Sequence, residues 1–219
     1  MTEIGNLLSK DLKPFAANES IDSVQDFFAE QLFSHFPVLE DDVYIGSIAA
    51  EDAETFDTSK IVSDYKYSLE GFFVRDSMFW LDVLEVFAKN HTNVVPVLTD
   101  ENRYAGYYEL TEVTSLFHET PFLKESGGIL VVKKDVRDYS MGQIVQIVES
   151  NNVKLLGAFI SYLDNQFAEI TVKVSQGSIN ELIATFRRYE YEIVSKHEED
   201  DYLNNLRERS EYLDRYLNI

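Results

Sequence analysis

Hydrophobic and polar positions in the first 120 residues recur as two copies of one pattern. Ser20 precedes Ile21, Val24, Phe27, Phe28 and Leu32, a stripe at the period of an amphipathic helix behind a serine cap. Trp80, Val83, Leu84 and Phe87 repeat that stripe. Each stripe leads to a proline-centred apolar run, Phe36-Pro37-Val38-Leu39 and then Val95-Pro96-Val97-Leu98, 59 residues later. A polar turn follows, Glu40 to Asp42 or Thr99 to Arg103, and then a glycine-centred run, Tyr44-Ile45-Gly46-Ser47-Ile48 or Tyr104-Ala105-Gly106-Tyr107-Tyr108. Two apolar runs around a polar turn predict a strand pair. Each copy therefore reads as extended segment, helix, strand, turn, strand, short helix, and its uncovered apolar face predicts that the copies pack together.

The rhythm changes after Pro121 and Ser126-Gly127-Gly128. Ile129 to Val132 reads as a buried strand, and Ser140 to Gln143 has capping-box spacing ahead of a helix with Met141, Ile144, Val145 and Val148 on one face. Two strand-like runs follow, Leu155 to Leu163 and Phe167 to Val174, joined by Asp164-Asn165-Gln166. A second box, Ser178 and Glu181, opens a helix with Ile179, Leu182, Ile183 and Phe186, and Tyr191 to Val194 closes the module. The order βαββαβ is the ferredoxin-like pattern. From Tyr202 to Ile219 the spacing of Leu203, Leu206, Ser210, Leu213 and Leu217 predicts one more helix, capped at Asp200 or Asp201, that docks on its own module or on a sister subunit.

Composition narrows the function. Nineteen basic against 39 acidic residues give a formal charge of −20, which disfavours nucleic acid and anionic membrane surfaces as partners. The absence of cysteine excludes disulfides, thiolate metal sites and a cysteine nucleophile. No apolar run approaches a spanning length and the start lacks signal-peptide character, so a soluble, cytoplasmic protein is expected. No nucleophile elbow, phosphate-cradling glycine loop, zinc-protease helix or dinucleotide fingerprint is found, and the expectation is a protein that is not an enzyme. The four histidines show no metal-ligand spacing; His35 and His91 lie shortly before the two prolines and read as surface or helix-end imidazoles, with a cleft position as the alternative.

The proline-valine strand, turn, glycine strand and acidic residue six beyond the glycine, clearest from Pro96 to Glu112, resemble the CBS domain, named after cystathionine β-synthase. The resemblance implies an α+β or α/β chain in which a first repeat (1–58) and a second (59–122) pack as a pseudo-two-fold pair. The module at 126–198 resembles an ACT domain, and 199–219 forms the terminal helix. The layout is also similar to that of bacterial acetoin-utilisation-like CBS proteins, which carries over the arrangement and not the pathway.

By that resemblance, ligand-binding pairs hold adenosyl compounds in clefts between the repeats. The carried-over ribose carboxylates are Asp52 and Glu112, with Pro37, Gly46, Pro96 and Gly106 lining the clefts. The family's phosphate-binding hydroxyl is replaced by Ala49 and Glu109. Alanine cannot donate to a phosphate and glutamate repels it, so an uncharged or cationic adenosyl ligand is expected, or none. Asp52 and Glu112 also read simply as helix-start carboxylates favoured by the dipole. In the ACT-like loop Asp135 fits the acidic position, but Tyr139 or Ser140 stands where glycine is usual. No cofactor is required. The resulting expectation is a regulatory homodimer that senses a small-molecule effector and acts on a further protein; the alternative is a ligand-free scaffold for dimerisation and partner binding.

Overall fold

The computed structural model describes residues 4–195 and divides the chain into two compact units, Met1–Glu119 and Thr120–Ile219. The tail helix read from the leucine spacing lies outside the described residues.

The first unit contains two copies of one βαββα arrangement. Copy one comprises β1 (Phe15–Ala16), α1 (Ile21–Glu30), β2 (His35–Glu40), β3 (Val43–Ala49) and α2 (Ala50–Ala53). Copy two comprises β4 (Val74–Arg75), α3 (Trp80–Lys89), β5 (Val94–Leu98), β6 (Tyr104–Glu109) and α4 (Leu110–His118). Each forms a three-stranded sheet whose first pair is parallel and whose second is antiparallel. Even the irregularities coincide: the register slips between Val38 and Leu39 in one copy and between Val97 and Leu98 in the other.

Ser20 caps α1 by accepting the Ser23 N–H at 3.2 Å, and Ile21 and Val24 face the core. The helix stops at Glu30, so Leu32, expected on its apolar stripe, lies beyond the last turn and is 93% exposed. The adjacent tyrosines of β6 both disappear from solvent. Tyr107 packs on Phe33 and Phe36 in the core of copy one, whereas Tyr108 belongs to the core of copy two. Alternation along the strand sends them to opposite faces, and both faces are covered. Neither ring is left to face solvent.

The copies are also crossed. A 3-10 turn at Ile4–Leu7 packs with Leu8 against the core of copy two, and Ser9 exchanges two backbone hydrogen bonds with Tyr107. The equivalent exchange links Ser47 of copy one to Glu70, beyond a second 3-10 stretch at Val62–Ser68 whose Val62 and Tyr65 enter the core of copy one. Each bridge passes over the glycine that precedes it. Gly46 has φ +143° and a Cβ there would lie 2.8 Å from the Leu69 Cβ; Gly106 has φ +147° and a Cβ there would collide with the Ser9 carbonyl oxygen. Both positions exclude a side chain by backbone conformation and by space.

The second unit is the ferredoxin-like βαββαβ: β7 (Gly127–Asp135), α6 (Met141–Ser150), β8 (Leu155–Leu163), β9 (Phe167–Ser175), α7 (Ile179–Arg188) and β10 (Glu192–Ile193), preceded by the single turn α5 (Pro121–Lys124). The sheet order is β10-β7-β9-β8 and all of its pairs are antiparallel. Leu130, Val132, Ile170, Val172 and Val174 form a buried face covered by Ile144, Ile147, Val148, Leu182, Ile183 and Phe186. Ser140 caps α6 as its spacing predicts, but Met141 is exposed and Ile147 takes its place in the core. Ser178 makes no side-chain cap bond, so the second expected box is not formed.

Candidate functional site

The two copies meet where each proline-centred strand begins. Ser34 and Asn93 occupy equivalent positions, and the Ser34 N–H donates to Asn93 Oδ1 at 2.8 Å while the Asn93 N–H donates to Ser34 Oγ at 3.0 Å. Their carbonyls accept the first N–H groups of α2 and α4, from Ala50 at 2.8 Å and from Leu110 at 3.0 Å. The junction thus fixes both helix starts relative to each other.

Beside it lies a cavity of about 660 Å³ to which both copies contribute. Ser34, His35, Ala50, Glu51 and Glu54 come from copy one, Lys89, Asn90 and His91 from the end of α3, and Glu70 from the connecting segment. His35 is 8% exposed and is held three ways. Its Nε2 lies 3.4 Å from Glu70 Oε1, its Nδ1 is 3.0 Å from Ser34 Oγ, and its ring stands edge-on to Phe72. A buried, oriented imidazole replaces the expected surface histidine. His91 is exposed and left-handed, with φ 49°, just past the end of α3. Three carboxylates face one ammonium and two imidazoles, a balance that disfavours a polyanion and accommodates a neutral or cationic ligand.

The carried-over residues are distributed unevenly. Pro37 and Pro96 are buried in their strands, paired with Ser47 and Tyr107. Ala49 is buried at the N-cap of α2 and offers no side-chain bond to that helix. Asp52 is half-buried on the same turn, but Glu51 and Glu54, rather than Asp52, line the cavity. Glu109 is half-buried at the cap of α4, and Glu112 is exposed in its first turn. Burial, with the like charges of Glu112 and Asp11, holds the Glu109 carboxyl above the usual range. Glu70 is a functional candidate that spacing did not select, whereas for His35, two residues before Pro37, the cleft position given as the alternative is the one found.

Two tyrosines at equivalent strand starts differ. Burial pushes the Tyr44 hydroxyl up to about 12, although it donates to the Phe72 carbonyl at 2.7 Å and bonds to Ser47 Oγ at 3.0 Å. The Tyr104 hydroxyl is also raised by burial and has no hydrogen-bond partner among the described residues; the buried Tyr108 hydroxyl likewise has none. In the second unit, Asp135 is occupied by Arg137, whose Nε and Nη2 donate to it at 3.1 and 3.2 Å and hold its carboxyl below the usual range. Tyr139 packs against that unit's core. Among the described residues no group of three or more His, Cys, Asp or Glu is placed to hold a metal ion, and no helix is long and apolar enough to cross a membrane.

No protein-family model matches the chain, and no curated protein matches it. Solved structures do. Several of the solved structures it resembles are CBS domain pairs. A CBS domain pair/ACT domain protein of Thermotoga maritima is 18% identical, with 54% of this chain aligned to 98% of that one at a TM-score of 0.49. The CBS domains of a transcriptional regulator of Streptococcus pneumoniae are 17% identical, with coverages of 52% and 98% and a TM-score of 0.46. A CBS protein in complex with AMP is 17% identical, with coverages of 53% and 96% and a TM-score of 0.45.

Proposed function

We propose that the first unit is a CBS-type pair that senses a small uncharged or cationic adenosyl metabolite, and that the protein is regulatory rather than catalytic. The carrying observation is the cavity beside the Ser34–Asn93 junction, to which both copies contribute and whose lining includes the buried His35 and an excess of carboxylates over lysine. A ligand seated there touches α2 and the end of α3 together, so binding favours one relative placement of the copies over others. Ribose hydroxyls are natural donors to Glu51, Glu54 or the neighbouring Asp52, and a sulfonium suits the acidic lining.

Calorimetry with adenosine, S-adenosylmethionine, AMP and ATP tests this reading. Adenosine and S-adenosylmethionine are expected to bind, ATP more weakly, and Glu54→Gln to weaken the cationic ligand more than adenosine. Silence of every compound at millimolar concentration replaces the sensor with the scaffold reading, which the like charges of Asp11 and Glu112 around Glu109 favour.

The assembly in this reading is a homodimer. Phe79 and Leu81 are about half exposed at the start of α3, and β8 is a sheet edge carrying exposed Phe159, Tyr162 and Leu163. Such surfaces are ordinarily covered in solution. A monomeric mass by light scattering removes this part.

A further inference from the structure

A second cavity, of about 650 Å³, lies between the hairpin tips of the two copies. This is within the roughly 300–1,000 Å³ typical of small-molecule sites. The β2 strand separates it from the Ser34 junction, so the two are about 20 Å apart along the chain direction. Pro14, Phe15, Ala16, Leu39 and the Tyr104 ring supply apolar lining. Four charged side chains complete it: Lys13 and Arg103, and Asp41 and Asp42. Their formal charges cancel, in a chain whose net charge is −20.

These groups are not consumed by the fold. Lys13, Asp41 and Asp42 make no side-chain hydrogen bond or ion pair among the described residues, and Arg103 has only a 4.0 Å pairing with the exposed Glu101. The aspartates are also conformationally unusual. Both have positive φ, 49° and 63°, at the two central positions of the β2–β3 turn, where Asn-Gly is the favoured pair. Two adjacent carboxylates are thus kept on a cavity wall at a cost in local stability.

An apolar lining with two cations and two anions selects a molecule carrying both signs around an apolar body, since an ion of one sign meets as much repulsion as attraction. We propose that this cavity binds a small zwitterion with an apolar side chain, an apolar α-amino acid being the simplest, with its carboxylate toward Lys13 and Arg103 and its ammonium toward Asp41 and Asp42. The site is independent of the adenosyl cavity, so failure of either reading leaves the other standing.

The test is titration calorimetry of the full chain with L-phenylalanine and L-leucine, alongside N-acetyl-L-phenylalanine, which lacks the cation, and L-phenylalaninamide, which lacks the anion. The zwitterions are expected to bind, each capped analogue about 10-fold or more weakly, which corresponds to roughly 1.4 kcal/mol. Asp42→Asn suits the left-handed turn and should weaken phenylalanine without affecting adenosine; Lys13→Gln should do the same from the carboxylate side. Equal binding of a capped analogue, unchanged affinity in both variants, or no binding at millimolar concentration overturns the proposal.

Discussion

Ser34 and Asn93 exchange hydrogen bonds at equivalent points of the two copies, each backbone N–H donating to the other's side-chain oxygen. The Asn93 amide also donates to the Leu32 carbonyl at 2.7 Å. Asn93→Ala therefore orphans one donor and one acceptor together and should cost about 1–3 kcal/mol of unfolding free energy in a denaturant titration. With Ser34→Ala added, the loss should be less than the sum of the single losses, because each variant breaks part of one exchange. Strict additivity would show that the copies are not coupled there.

The crossed bridges set a stronger constraint at Gly106. A methyl group there meets the Ser9 carbonyl oxygen while the backbone holds a φ that alanine resists. Gly106→Ala should destabilise by about 2 kcal/mol or more, and Gly71→Ala, with open space at its Cβ, by much less. Comparable thermal melts for the two variants would contradict the crossed packing.

Unpaired hydroxyls make an opposite prediction. Tyr104 and Tyr108 each bury an oxygen that has no partner among the described residues. Removing it by Tyr104→Phe or Tyr108→Phe should raise stability by about 1 kcal/mol and shift Tm upward. Tyr44→Phe should lower stability, because its hydroxyl is bonded to Ser47 and to the Phe72 carbonyl.

Acid stability carries the imprint of Glu109. Its folded-state carboxyl titrates above the ordinary 4.5 because of burial and the neighbouring Glu112 and Asp11. Below that ordinary value the group is protonated folded or unfolded and costs nothing. As pH rises through it the unfolded chain ionises first, so the folded state loses relative stability, fully so once the folded carboxyl has also ionised. Glu109→Gln should therefore match the parent protein in acid and melt higher near neutrality. A constant offset across the pH range would place the effect elsewhere than in charge.

The duplicated part of the fold was legible because Pro-Val-Leu and the following glycine strand leave few alternatives: the proline breaks helix, and the alternating apolar residues need a covered sheet. The ferredoxin-like order was legible for the same reason, from strands such as Phe167 to Val174 with clean alternation. What escaped were features decided by distant partners. Leu32 has the helical period but no turn beneath it, since the chain must leave α1 to reach the Asn93 amide. Ser178 has cap spacing without the cap bond. His35 reads as polar in sequence, yet Glu70 and Phe72, more than thirty residues away, enclose it. The cavity carboxylates Glu51 and Glu54 escaped because the family position, Asp52, is their neighbour on a single turn, and only the direction of the helix separates them.

Ser9 finds its strand partner roughly a hundred residues later in the chain, at Tyr107. During synthesis the opening segment must wait, unsatisfied, until nearly the whole second copy has left the ribosome. Neither copy can therefore close its hydrophobic cluster alone, and the pair should acquire native protection in one late step rather than as two successive events.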